Sequence, residues 1–108
     1  MIAVYARHVG DCFRLYVEGH ASATPRGRIV CAGVSALALA LLDYAEQSEQ
    51  CRHVRSFREP GKIFLFCREG LEGPFDMTVA ALRKIAKNYP DEILPPRIIR
   101  VDDKREYV

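Results

Sequence analysis

The chain has 108 residues, 49% hydrophobic and 28% charged, the length and balance of one folded domain over residues 1–108 and not of a disordered or fibrous chain. Its 16 basic and 14 acidic residues leave a net charge of +2, too small to argue for direct nucleic-acid binding. Met1 to Arg7 lacks the order of a signal peptide, and the longest apolar stretch, Ile29 to Leu42, falls short of the roughly 20 residues that span a bilayer, so a cytoplasmic chain with no membrane partner is expected.

Ile2 to His8 and Cys12 to Gly19 alternate apolar and polar residues around the Gly10-Asp11 turn signal, which predicts a β-hairpin with one buried face. Ala21 to Arg28 is rich in small residues, holds Pro25 and Gly27, and reads as a loop. From Val30 to about Glu46, Ala, Leu and Val dominate without a proline, which predicts a buried helix, apolar nearly all round in its first dozen residues. Cys51 to Arg58 and Lys62 to Arg68 flank Pro60-Gly61 as a second hairpin, and Ile63 to Phe66 reads as a central strand. A second helix starts at Gly73-Pro74, carries apolar residues from Phe75 to Tyr89 at helical spacing, and ends at Pro90. Arg97 to Val101 is a candidate edge strand, followed by a charged tail expected to fray. The order β-β-α-β-β-α(-β) predicts an α+β domain, an antiparallel sheet with two packed helices.

The four cysteines, Cys12, Cys31, Cys51 and Cys67, are expected to be free thiols, since nothing in the sequence marks secretion. No Cys-x-x-Cys pair and no close pair of histidines suggests zinc. Cys31 is expected at the opening of the first helix, where unpaired N–H groups and the helix dipole favour a thiolate and could hold an oxyanion. The same residue also fits a second account, a small side chain buried in an apolar helix. His20 ends the second strand beside Gly19 and Ala21, which leaves room for a substrate backbone, and an imidazole titrates where it can take a thiol proton. Alone it reads as a surface or capping histidine. Glu18 shares strand parity with His20 and is a weaker candidate to orient its ring. The basic residues of the second hairpin, Arg52, His53, Arg55, Arg58, Lys62 and Arg68, fit either a solvated face or a surface that docks on ribosomal or nucleic-acid partners.

Gly19-His20-Ala21, a glycine-containing loop, and Ile29-Val30-Cys31-Ala32-Gly33-Val34-Ser35 together resemble the ribosomal-processing cysteine protease family, Prp. The resemblance implies Cys31 as nucleophile, His20 as base, Gly19 as the residue keeping space beside the histidine, and Ser35 as a supporting serine. It implies a homodimer that removes the N-terminal extension of a large-subunit ribosomal protein precursor by Cys-His acyl transfer, with no metal or organic cofactor. Alternatives within the resemblance are a prophage protease acting on a capsid or scaffold precursor, and an inactive dimeric binding module. Two departures stand out: Arg28 replaces the aspartate that family members carry three residues before the cysteine, and the His20–Cys31 loop is about one residue short. That loop is expected to close over an extended peptide, with Arg28 attracting an acidic substrate group.

Overall fold

A computed structural model describes residues 1–101 of the chain. Its elements run β1 (Ala3–Val9), β2 (Cys12–Glu18), α1 (Pro25–Gln47), β3 (Arg52–Glu59), β4 (Lys62–Arg68), α2 (Glu72–Asn88) and β5 (Arg97–Val101). The α+β fold with two helices on one sheet is the one the sequence predicts. The charged tail, residues 102–108, lies outside the described residues.

The strands form one sheet in the order β3-β4-β2-β1-β5. Both hairpins are antiparallel, and so is the β2–β4 pair that joins them. β5 runs parallel to β1, so the sheet is mixed. The edge strand predicted after Pro95-Pro96 is therefore present, but its direction follows from the crossover that α2 imposes.

The period of two shows directly in burial. Val4, Ala6, Phe13, Leu15, Val17, Leu65 and Cys67 face the helices and are buried. α1 meets them with Val30, Val34, Ala38, Leu41 and Ala45, and α2 adds Phe75, Val79, Leu82 and Ala86 to the same core. Truncating one of these large side chains, Leu15 or Leu82, costs about 2–5 kcal/mol at such a site.

α1 departs from expectation at its start. It begins at Pro25, five residues before Val30, and takes in half of the predicted loop. Thr24 is the N-cap, its side chain accepting from the Gly27 N–H at 3.1 Å, and Pro25 occupies the first turn, where a missing N–H costs nothing. Small residues around Gly27 obscure this start in the sequence. The glycine is needed because a Cβ there would collide with the Ser22 carbonyl. The helix is thus longer than the apolar stretch suggests. By length and composition it could cross a membrane, yet its inner stripe is part of the core.

Candidate active site

β2 ends at Glu18, and the chain then crosses to α1 through residues 19–24. His20 sits exposed in this crossing. Cys31 comes in the second turn of α1, half-buried, and not at the helix opening. The predicted source of its activation is therefore absent: the Gly27 and Arg28 N–H groups are already taken, by Thr24 Oγ1 and the Thr24 carbonyl. Cys31 instead receives a backbone donor from elsewhere. The Ala21 N–H points at Cys31 Sγ at 3.3 Å, which ties the residue after the histidine to the thiol.

His20 and Cys31 line one cleft of about 290 Å³. Ser35, one helical turn beyond Cys31, lines it too, with Val34 and Leu39. The opposite wall is the β3–β4 turn from Arg58 to Ile63. The strand pairing explains this wall. Glu18 lies opposite Lys62, so the hairpin tip falls beside the end of β2, and the Gly19 N–H donates to the Gly61 carbonyl at 2.9 Å. The His20 ring rests on Gly61. That residue has φ +78°, and a Cβ there would stand 2.7 Å from His20 Nε2. Gly19 also lines the cleft, but its missing Cβ makes room for the Met1 carbonyl.

The crossing and the start of α1 are held down at two residues. Ser22 donates from its N–H and its hydroxyl to the two oxygens of the buried Glu92 carboxylate, each at 2.7 Å. Arg26 pairs with Asp91 at 3.0 Å and lies 4.6 Å above the Tyr89 ring. The Arg26 hydrogen bond holds the Asp91 carboxyl below its usual 3.8. Residues expected to close as a loop are thus half helix and half anchored to the turn after α2.

Other candidates are placed away from the cleft. Glu18 accepts from the Tyr16 hydroxyl at 3.1 Å on the far face of the sheet, and no described carboxylate bonds His20. His8 stacks on Phe13 with ring centroids 4.1 Å apart, inside the core. Burial, with Cys51 close by, pushes the Cys67 thiol up to about 12. Cys31, Cys51 and Cys67 are free thiols, as expected. In the second hairpin Arg52, Arg58 and Arg68 are paired with acids, while the Arg28 side chain on α1 has no described partner.

The model of the cysteine protease Prp family matches residues 1–94. The chain belongs to that family, and it is a cysteine protease. No curated protein matches it. Among solved structures, the SMU.848 protein of Streptococcus mutans is 19% identical with a TM-score of 0.68, covering 93% of this chain and 95% of its own. The essential ribosomal processing protease Prp of S. aureus, in complex with a substrate peptide, is 20% identical with a TM-score of 0.67 over 93% of this chain and 99% of its own. The same S. aureus protease with a covalently linked product peptide gives 21% and 0.65, with the same coverage. At such identities these structures speak for the Prp fold.

Sequence reasoning missed three parts of the site: the Ala21 N–H, the Gly61 floor and the Glu92 anchor. Pro60-Gly61 was visible as a turn, but only the β2–β4 register brings it under His20.

Proposed function

We propose that this Prp-family protease cuts a peptide bond with Cys31 as nucleophile and His20 as base, removing the N-terminal extension of a large-subunit ribosomal protein precursor in the cytoplasm. The observation that supports the pair is the shared cleft, which both residues line together with the β3–β4 turn. The S. aureus protease, named for ribosomal processing and bound to a substrate peptide, supports the choice of substrate.

In the first step His20 takes the Cys31 proton, and the sulfur attacks the scissile carbonyl carbon. The Ala21 N–H, aimed at the sulfur, offers a main-chain donor at the reacting centre; a hydrogen bond of this kind strengthens as its acceptor gains charge. As the tetrahedral adduct collapses, the C–N bond breaks and His20 gives its proton to the leaving amine. Water then attacks the thioester while His20 takes a proton from it. The C–S bond breaks, a carboxylic acid leaves, and His20 returns its proton to the Cys31 sulfur. Every bond is made by side chains and water, so no metal or organic cofactor enters. Gly19 and Ser35 act in support, Gly19 by admitting the Met1 carbonyl beneath the crossing and Ser35 by lining the wall beside Cys31. Arg28, exposed on the first turn of α1, attracts an acidic substrate group; Arg28→Glu would then shift preference toward basic peptides, and unchanged preference removes it from substrate choice.

The outer ridge of α1, with Ile29 66% and Tyr44 48% exposed and alanines between them, supports a homodimer that covers it. A monomer by sedimentation at micromolar concentration overturns that part alone. The function is tested by incubating the purified chain with the host precursor and reading the new N-terminus by mass spectrometry. Cleavage lost in Cys31→Ser and His20→Ala supports the assignment, and full cleavage by either variant defeats it. Binding of the precursor without cleavage by the unaltered chain identifies a binding module. Cleavage of a phage capsid precursor in place of the ribosomal one moves the substrate and leaves the chemistry.

A further inference from the structure

The helices cover one face of the sheet, and among the described residues no layer covers the other. Its side chains are unusual for a solvated surface. Phe57, Phe64, Tyr16 and Tyr5 stand directly opposite one another across four strands, and Arg97 of β5 continues the row. Successive ring centroids lie 5.6, 6.4 and 6.1 Å apart, so the rings form one continuous strip. Phe57 at the β3 edge and Tyr5 at the other end are 46% and 37% exposed.

The adjacent row reads Arg55, Phe66, Arg14 and Arg7. The Arg14 guanidinium lies 5.8 Å from the Phe66 centroid. Arg7 and Arg14 are direct cross-strand neighbours, a like-charge placement that costs stability in a sheet. Among the described residues, Arg7, Arg14, Arg55 and Arg97 have no carboxylate partner, whereas Arg26, Arg52, Arg58, Arg68 and Arg100 each have one. Of the six described arginines without a carboxylate partner, these four border the aromatic strip, and the other two, Arg28 and Arg83, lie on the helices.

Planar rings in a row, flanked by free guanidinium groups, match a chain of planar bases on an anionic backbone. We propose that this open face binds single-stranded RNA, with bases on the Tyr5–Phe57 strip and phosphates on Arg7, Arg14, Arg55 and Arg97. The small net charge, which argued against nucleic acid, hides this local separation of charge. One feature favours RNA over DNA. The Tyr16 hydroxyl and the Glu18 carboxylate it donates to, 3.1 Å apart, border the strip, and a ribose 2′-hydroxyl can both give to and accept from such a pair. The cleft with Cys31 is lined from the helix side of the sheet by Val17 and Ile63, so RNA on the open face leaves it uncovered.

The test is fluorescence anisotropy of a short labelled oligouridine with the full chain, at several salt concentrations. Four phosphate contacts give a slope of log K against log salt of about −2.8. Arg7→Ser with Arg14→Ser should reduce that slope by about 1.4. Phe57→Ala and Tyr5→Ala, both at exposed positions, should each weaken binding about ten-fold at unchanged slope. Arg83→Ser, an exposed cation on α2, serves as control and should change nothing. No binding at low salt overturns the proposal, as does an equal loss in Arg83→Ser. Equal affinity for oligodeoxyuridine overturns the assignment to RNA. Loss of a dimer in Phe57→Ala overturns it in favour of a second copy of the chain on this face.

Discussion

The chain uses one plan twice, a hairpin followed by a helix, and the two copies differ where strand gives way to helix. After β4 the turn takes only Glu69, Gly70 and Leu71, with φ of 63° and 80° at the first two, and α2 starts with no side-chain cap. After β2 the chain spends residues 19–24 before Thr24 caps α1. The short connection joins its strand to its helix within three residues. The longer one leaves space, and His20 and Cys31 line it. The difference shows how a site can arise from added length and a displaced cap on a repeated unit, with the sheet unchanged. It also locates what each connection should tolerate.

The largest effect is expected at the first connection. Cys31→Ser and His20→Ala should each lower kcat/KM for precursor cleavage at least about a thousand-fold, with thermal unfolding shifted little, because His20 is exposed and Cys31 packs only at the margin of the core. A variant of either that keeps wild-type turnover would place the chemistry elsewhere.

Matched glycine substitutions set the two connections against each other. Gly61 supports His20 and Gly70 holds the tight turn, where a Cβ would come within 2.8 Å of the Gln50 backbone; both have positive φ. Gly61→Ala and Gly70→Ala should each cost about 1 kcal/mol or more in urea unfolding. Only Gly61→Ala should also displace the imidazole, lowering kcat/KM about a hundred-fold. Equal activity in the two variants would show that the β3–β4 turn does not position His20.

How much of this was legible in the sequence depends on the range of the interaction. The strands follow from alternation, since a period of two needs only near neighbours, and Phe13, Leu15 and Val17 are buried as their spacing requires. The start of α1 was also local, but two signals competed. Ala-Ser-Ala reads as loop while Thr24-Pro25 is a cap and first turn, and the cap prevailed because Glu92 and Gly27 fix Ser22 beside it. That single shift removed the helix-opening argument for Cys31 and left the Ala21 N–H in its place. The parallel β5 and the Gly61–His20 contact depend on pairing between distant segments, which no window on the sequence reports. The four-ring strip is of the same kind: each ring is an ordinary strand residue, and only the registers of three strand pairs align them.

A smaller effect separates the two helix starts. Thr24→Ala removes the acceptor for the Gly27 N–H and the hydroxyl 2.7 Å from Ser22 Oγ. It should cost about 1 kcal/mol in urea unfolding. Activity should fall less than ten-fold, since Glu92 still holds Ser22. At α2 Leu71 carries no capping side chain, so the corresponding start depends on packing alone. A Thr24→Ala protein as stable as the unaltered chain would mean that the Glu92 anchor, not the cap, fixes where α1 begins.

The smallest effect concerns the salt link that ties α1 to the turn after α2. Arg26 lowers the pKa of Asp91 through their hydrogen bond, so the folded chain holds this carboxylate ionised where the unfolded chain would protonate it. A lowered folded value contributes stability above the ordinary 3.8 and loses it as pH falls through the folded pKa. Asp91→Asn should therefore lower Tm slightly at neutral pH, and the gap from the unaltered chain should close progressively below pH 3.8. Added salt should narrow the same gap at neutral pH, because both partners are exposed. The second connection has its own exposed pair, Arg52 with Glu69 at 2.9 Å. Breaking that pair with Glu69→Gln should leave precursor cleavage untouched, whereas Asp91→Asn should raise KM modestly by freeing the segment that carries His20. Equal kinetics in the two variants would mean that Ser22 and Glu92 alone hold the first connection in place.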